Sequence, residues 1–224
     1  MMKAIEIPKS LIEETIARIR EAILSGELPL GSKLSEQRLA DMLGVSRSPV
    51  AQALAILKTE GLVEIYPKRG SYVYLPDARD VSEMCEYRSI LETAALTLSL
   101  ERQKAGLLSS LRGAMQAMET ALQAKDLKAY SQHDMAFHLA FLAHCENRRL
   151  EAAYARTISS VIGVRTHVFL SGSSHSERSM AEHRQIFAAC EAGKAVDACR
   201  LLKAHIHRLD EDFGASLGGA DSIG

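Results

Sequence analysis

Apolar residues at helical spacing predict three short helices in the first sixty residues. The first opens on a capping box, in which Ser10 and Glu13 each accept a hydrogen bond from the other's backbone amide. The second and third each begin at a serine, which suits a helix N-cap, and each ends at a glycine. The predicted helices extend from Ser10 to Gly26, from Ser35 to Gly44 and from Ser46 to Gly61. Their apolar faces are Ile12, Ile16, Ile19 and Ile23, then Leu39, Ala40 and Leu43, then Val50, Ala53, Leu54 and Leu57.

After Gly61 the pattern changes from helical to extended. Residues Leu62 to Tyr66 and Ser71 to Leu75 are β-rich, and Pro67 to Gly70 joins them in a hairpin with two positive charges at its tip. Three helices followed by a basic hairpin are typical of a winged helix-turn-helix.

Only helical patterns follow the linker at Pro76 and Asp77. We predict a mainly α protein with an N-terminal winged helix-turn-helix in residues 1–76, an all-α helical bundle in residues 77–213 and a disordered tail in residues 214–224. The bundle helices are expected at 80–104, 106–124, 126–145, 147–168, 176–192 and 194–212.

Composition narrows the class of protein. The chain has 224 residues, of which 47% are hydrophobic and 25% charged, so a globular protein with two domains is expected. It contains neither an apolar run of about 18 residues nor a signal peptide, so we expect a cytoplasmic location and no membrane partner. The four cysteines form no C-x-x-C pair and are expected to be reduced thiols, mostly in the core.

The net charge of −1 does not by itself indicate nucleic-acid binding, so any DNA contact must come from a local group of side chains. Ser46, Arg47, Ser48 and Gln52 lie at the start of the third helix, where a helix-turn-helix reads the major groove. Arg47 suits guanine and Gln52 suits adenine, whereas the wing residues Lys68 and Arg69 suit phosphates or the minor groove. A small helical domain that binds a partner protein has the same apolar periodicity.

Ionisable side chains interrupt the apolar stripes of three later helices. Asp134 and His138 share one face of the helix at 126–145, His183 lies among Met180, Phe187 and Cys190, and His205 lies between Leu202 and Leu209. One carboxylate and three imidazoles would suit Zn²⁺, Ni²⁺ or Mn²⁺ with open positions left over. Taken singly, each histidine is more often a hydrogen-bonded core residue.

Two arginines also lie on inward stripes. Arg88 and Arg165 need buried anions, and the planar guanidinium fork suits a carboxylate. We expect them to hold a small organic acid beside the metal. The alternative is an internal salt bridge to Glu92 or Asp134.

Residues 34–73 are similar to the N-terminal domain of GntR-family regulators. Their sequence is LSEQRLADMLGVSRSPVAQALAILKTEGLVEIYPKRGSYV, which contains the specific motifs LGVSRSPV, EGLV and RG-x-x-V. The resemblance implies a homodimeric transcription regulator, often a repressor, that binds a short palindromic operator. It adds Gln37 and Gly70 to the expected DNA-binding residues. Gln37 and Ala51 stand where FadR-type members usually carry arginine, so Arg47 takes a larger share of recognition.

Three later motifs resemble those of the FCD ligand-binding domain in the FadR-like branch of the GntR family. They are DMAFH at 134–138, EHRQIF at 182–187 and AHI at 204–206. This resemblance implies that Asp134, His138, His183 and His205 bind a divalent metal. His207 is expected to face outward, and the remaining histidines, 133, 144, 167 and 175, are expected at the surface or around the site.

Two other functions fit the same residues. In the first, the metal ion is itself the signal. In the second, an open metal position activates water as in a metalloenzyme, but no general base or nucleophile motif accompanies the ligands. We therefore do not expect an enzyme.

Overall fold

The computed structural model describes residues 10–218, excepting the side chains at 173, 217 and 218. Contacts divide the chain between Leu75 and Pro76 into two compact units. The predicted fold class is confirmed, with strands confined to the first unit and helices throughout the second.

The first unit contains three helices and three short strands. Its elements are α1 (Leu11–Leu24), β1 (Lys33–Leu34), α2 (Glu36–Leu43), α3 (Arg47–Thr59), β2 (Val63–Tyr66) and β3 (Gly70–Val73). The predicted capping box is present, because Ser10 and Glu13 exchange hydrogen bonds of 3.0 and 3.2 Å. The buried core of this unit combines most of the predicted helix faces with Leu34, Leu62, Val63 and Val73, and Ile12 and Leu43 of those faces are half-buried beside it.

The sheet has the strand order β1-β3-β2, and both pairs are antiparallel. In the hairpin Val63 pairs with Val73 and Tyr66 with Gly70, so the turn is Pro67 to Arg69 and the strands are slightly shorter than predicted. Lys68 adopts a left-handed φ of 64° at the tip of the turn. Sequence periodicity missed β1, because a two-residue strand is too short to show alternation.

The second unit contains seven helices in the described part of the chain. They are α4 (Ala78–Arg102), α5 (Lys104–Gln123), α6 (Leu127–His144), α7 (Arg148–Ala155), α8 (Ile158–Ser171), α9 (Ser173–Glu191) and α10 (Ala195–Gly218). Helix α4 packs on α6 and α10, and α6 also packs on α5 and α8.

Two predicted helix boundaries were wrong. The single helix expected at 147–168 is broken between α7 and α8, where the amide and hydroxyl of Thr157 both donate to the Tyr154 carbonyl. A hydroxyl that competes for backbone acceptors favours such an interruption. The tail expected from residue 214 is helical as far as Gly218, and Phe213 is buried just before it. Residues 219–224 of that tail lie outside the described residues.

Between residues 10 and 218, no helix combines the length and apolar character needed to cross a membrane. The four cysteines are free, as expected, and Cys85, Cys145 and Cys190 are buried whereas Cys199 is half-buried. Burial raises the pKa of the Cys85 thiol to about 11 and that of Cys190 to about 12.

We predict that a thiol reagent at pH 8 labels the native protein at Cys199 and spares the other three cysteines. The thiolate is the reactive form, and a pKa of about 11 leaves roughly one thiol in a thousand ionised at that pH. Absorbance of released thionitrobenzoate counts the cysteines that react in the native protein and, after addition of guanidinium, those that react in the unfolded protein. Cys199→Ser should remove the native reaction, and rapid labelling of Cys85 or Cys190 would contradict the prediction.

Candidate metal centre and nucleic-acid interface

The start of α3 presents the predicted DNA-reading side chains to solvent. Helix α2 ends at Gly44, whose left-handed φ of 67° turns the chain toward α3. Arg47, Ser48 and Gln52 are exposed on the first turns of α3. Ser46 occupies the N-cap position as predicted, but its side chain makes no capping hydrogen bond.

Weak surface contacts hold these side chains in the absence of DNA. Arg47 Nη2 lies 3.2 Å from Glu36 Oε2, and the Gln52 amide donates to Ser48 Oγ at 3.3 Å. The Gln37 amide donates to an Asp41 carboxylate oxygen at 2.8 Å. Exposed pairs of this kind contribute about 0–1 kcal/mol, so a base edge or a phosphate can replace the protein partner at little cost.

The wing adds a second exposed group of cations. Lys68, Arg69 and Gly70 are all exposed, and the Arg69 guanidinium lies 5.7 Å from the centre of the Tyr66 ring. The positive charges therefore project from the turn between β2 and β3. This placement suits contact with the phosphate backbone.

In the second unit, three helices bring the predicted metal-binding residues together. Asp134 and His138 come from α6, His183 from α9 and His205 from α10, and all four are buried. One ligand atom from each residue lies within 4.8 Å of the others. A single ion can therefore contact all four side chains after small adjustments.

Neighbouring carboxylates fix the orientation of two of the imidazoles. Glu92 Oε2 lies 2.6 Å from His138 Nδ1, and Glu182 Oε2 lies 2.7 Å from His205 Nδ1. When Nδ1 donates its proton to a carboxylate, Nε2 is left as a lone-pair acceptor. The two Nε2 atoms are 3.3 Å apart, so in these tautomers two acceptors face each other. A cation between them satisfies both.

His183 supplies the clearest unsatisfied group. Its side chain is fully buried, and neither ring nitrogen has a hydrogen-bond partner in the described structure. Its Nε2 lies 3.6 Å from Asp134 Oδ1, which also accepts a hydrogen bond of 3.1 Å from Ser179. Buried polar atoms are normally paired, so this ring fits a metal ligand better than a core histidine.

The charge states of the cluster also suit a cation. Burial, together with the positive charge of Arg165, lowers the pKa of all three imidazoles, to about 3 for His205 and well below 6.5 for His138 and His183. Burial alone would raise the pKa of Asp134, but the positive charge of Arg165 outweighs it and holds that pKa below its usual range. Neutral imidazoles and an ionised carboxylate are the forms that bind metals.

The two inward arginines have the internal partners that the sequence left as the alternative. Arg165 pairs with Asp134, and Arg88 Nε lies 2.9 Å from Glu92 Oε1, to which the Tyr154 hydroxyl also donates at 2.7 Å. These pairs do not use all the guanidinium donors. Neither terminal nitrogen of Arg88 makes a well-formed hydrogen bond, and Arg165 Nε has no partner in the described structure.

A small cavity, open to solvent, reaches the cluster at His205. The lining residues are Arg165, Val168, Phe169, His175, Arg178, Ser179, Glu182, His205, Arg208, Leu209 and Asp212.

Sequence reasoning assigned no role at the metal site to Glu92 or Glu182. The sequence suggests Glu92 only as a salt-bridge partner for Arg88, four residues earlier in the same helix, and Glu182 directly precedes His183 in the motif EHRQIF. No sequence signal pairs either carboxylate with its histidine, because those contacts join residues 46 and 23 positions apart.

The other histidines lie outside the cluster and are half-buried, namely His133, His144, His167, His175 and His207. His144 Nε2 contacts Ser110 Oγ at 2.9 Å, and His175 Nδ1 lies 3.4 Å from Asp212.

Two family models match the chain, one in each unit. Residues 11–73 match the model described as "Bacterial regulatory proteins, gntR family", and residues 83–208 match the FCD domain. The second match covers more than half of the chain, from α4 into α10.

Individual relatives agree with these matches. An HTH-type transcriptional regulator from Agrobacterium vitis is 37% identical over 128 residues, which cover 56% of this chain and 75% of that one. The "Probable D-xylose utilization operon transcriptional repressor" of Paenarthrobacter nicotinovorans is 28% identical over 222 residues and 96% of both chains.

A solved structure shares the fold. The crystal structure of a GntR transcriptional regulator from Rhodococcus sp. RHA1 superimposes with a TM-score of 0.79 at 24% identity, covering 92% of this chain and 99% of that one. Together with the exposed start of α3 and the buried cluster, these matches show that the chain belongs to the GntR family, carries a C-terminal FCD domain and is a DNA-binding transcriptional regulator, not an enzyme.

Proposed function

We propose that this regulator is a homodimeric repressor whose operator binding is controlled by a small organic acid bound beside a divalent metal ion. The observation that carries the proposal is the buried group of Asp134, His138, His183 and His205, with the arginines Arg88 and Arg165 beside it.

Asp134, His138, His183 and His205 would hold the ion. Their donor set of one oxygen and three nitrogens is borderline in softness and suits Zn²⁺, Ni²⁺ or Mn²⁺. The bound ion would supply a strong positive charge and open positions for the oxygen atoms of a ligand. The opposed imidazole lone pairs and the unpartnered ring of His183 support this assignment.

The organic acid is supported by the unused donors of the buried arginines. Arg88 retains two terminal nitrogens and Arg165 retains Nε without well-formed hydrogen bonds, although both side chains are buried. Unmade hydrogen bonds of buried charged groups are costly, and a carboxylate satisfies them best. The salt bridges to Glu92 and Asp134 hold the two guanidinium groups ready for that ligand.

On DNA, Arg47 would leave Glu36 and bind a guanine edge, with Gln52 beside it and the wing cations on phosphate. Two copies in a homodimer would present two such helices to a short palindrome. If the acid relieves repression, it must bind the DNA-incompetent state more tightly than the DNA-competent state. The difference in binding free energy is the coupling free energy between the acid site and the DNA-binding site. The similarity to a relative named as a probable repressor supports repression rather than activation.

A second candidate is a regulator that senses the metal ion itself. The observation in its favour is that Arg88 and Arg165 already pair with Glu92 and Asp134, so no organic anion is needed to neutralise them.

We predict that Zn²⁺ raises the melting temperature of the stripped protein, and that an organic acid raises it further only in the Zn²⁺-loaded protein. A ligand that binds the folded state stabilises it by mass action, by about 2.7 kcal/mol at one hundred times its Kd. His205→Ala should remove both responses, and His207→Ala on the same helix should keep them. A response to Zn²⁺ with none to any acid would favour the metal-sensing candidate.

We predict that Glu182→Gln lowers Zn²⁺ affinity by roughly tenfold to a hundredfold, the usual effect of removing a carboxylate that orients a metal-binding histidine. Competition with a chromophoric chelator measures the change. Glu177→Gln, at an exposed position of the same helix, is the matched control. Unchanged affinity in the Glu182 variant would contradict the role assigned to the Glu182–His205 contact.

We predict that Arg47→Ala lowers operator affinity by about 1–3 kcal/mol per half-site. In a dimer this loss occurs twice, so the affinity for the operator approaches the affinity for non-specific DNA. Fluorescence anisotropy on a duplex selected by the wild-type protein from random sequences measures the loss. Arg18→Ala is the control, because Arg18 is exposed on α1 and pairs with Glu14. An Arg47 variant that retains wild-type affinity would remove this residue from base recognition.

A further inference from the structure

The cavity beside His205 contains a second group of cations nearer to solvent than Arg165. Arg178 from α9 and Arg208 from α10 both line it. Their side chains are 44% and 37% exposed, whereas that of Arg165 is 4% exposed. The cavity therefore has an inner arginine next to the metal ligands and two outer arginines at its mouth.

The outer arginines are held by carboxylates of the protein. Arg178 pairs with Asp212, which His175 also approaches at 3.4 Å, and Arg208 Nε lies 2.5 Å from Glu182 Oε1. Both arginine side chains are partly exposed, so these pairs are less buried than the pair between Arg165 and Asp134, and an entering anion can compete for the arginines. The cavity mouth is thus already arranged to hold carboxylate groups.

The charge balance of the interior gives an independent reason to expect more than one anionic group. Arg88 and Arg165 are balanced by Glu92 and Asp134, and imidazoles bind a metal in their uncharged form. A divalent ion adds two positive charges that no buried side chain of the cluster offsets. Uncompensated charge in a protein interior is costly, so a ligand with two negative charges fits better than one with a single charge.

The cavity also has apolar residues in its lining. Val168, Phe169 and Leu209 line the cavity together with the arginines. A short hydrocarbon segment with an acidic group at each end can contact both the apolar residues and the arginines of this lining.

We propose that the effector is a dicarboxylate, whose inner carboxylate binds at the metal centre with Arg165 and whose outer carboxylate binds Arg178 and Arg208. The outer carboxylate takes the place of Asp212 at Arg178. This inference rests on the proposed function, because it requires an organic acid at the metal centre.

The test compares matched acids on the full-length, Zn²⁺-loaded protein by calorimetry and thermal shift. The pairs are succinate with butyrate, glutarate with pentanoate and malate with 2-hydroxybutyrate, in which a methyl group replaces one carboxylate. We expect at least one dicarboxylate to bind roughly tenfold to a hundredfold more tightly than its partner, the range for one charge-assisted hydrogen bond. Arg178→Gln and Arg208→Gln should each reduce that preference without changing the affinity for the monocarboxylate.

Arg184→Gln on α9 and Arg200→Gln on α10 are the matched controls, because both arginines are exposed and lie outside the cavity lining. Zinc content is measured for every variant. If Arg208→Gln loses zinc through its contact with Glu182, Arg178→Gln alone decides the test.

Two results would overturn the inference while leaving the proposed function intact: monocarboxylates that bind as tightly as their partners, or a preference for dicarboxylates that survives both arginine substitutions. A Zn²⁺-loaded protein that binds neither kind of acid would instead refute the proposed organic-acid response, and the dicarboxylate with it.

Discussion

Charged side chains in the interior of the helical unit must be paired, and this requirement organises the unit. Arg88 and Glu92 on α4 and Asp134 on α6 occupy core positions, and Arg165 reaches Asp134 from α8. Removing one partner of a buried pair costs about 3–5 kcal/mol, because it leaves an uncompensated charge. The alignment of these helices is therefore tied to the same residues that surround the candidate metal centre.

The carboxylates that balance the arginines also prepare the histidines. Glu92 accepts hydrogen bonds from the Arg88 guanidinium and the Tyr154 hydroxyl through one oxygen, and contacts His138 through the other. It thereby sets the tautomer in which His138 Nε2 carries a lone pair toward the cluster. Groups held in their binding geometry before a ligand arrives need little reorganisation when it binds, so under the proposed function one network would serve both stability and ligand binding.

The two units place their functional side chains in opposite environments. On α3, Arg47 is exposed and has only a weak surface partner, so its contacts can be exchanged for a DNA base. In the helical unit the four metal-binding candidates are buried, and Asp134, His138 and His205 also contact charged side chains. A regulator requires both properties, because its response is the difference in ligand affinity between DNA-competent and DNA-incompetent states.

The sequence by itself determined most of the elements and their buried faces, although not β1 or the break between α7 and α8. It predicted the capping box at Ser10, the helix-turn-helix, the basic hairpin, and the stripes in which Asp134 and the histidines replace apolar residues. Periodicity reports which face of one helix is buried, because side-chain direction repeats along a single element. It carries no information about distances between helices. Only the tertiary structure decided that the stripes converge within 4.8 Å, that Glu92 and Glu182 support the histidines, and that the arginines pair with internal carboxylates, since those contacts depend on how distant segments pack.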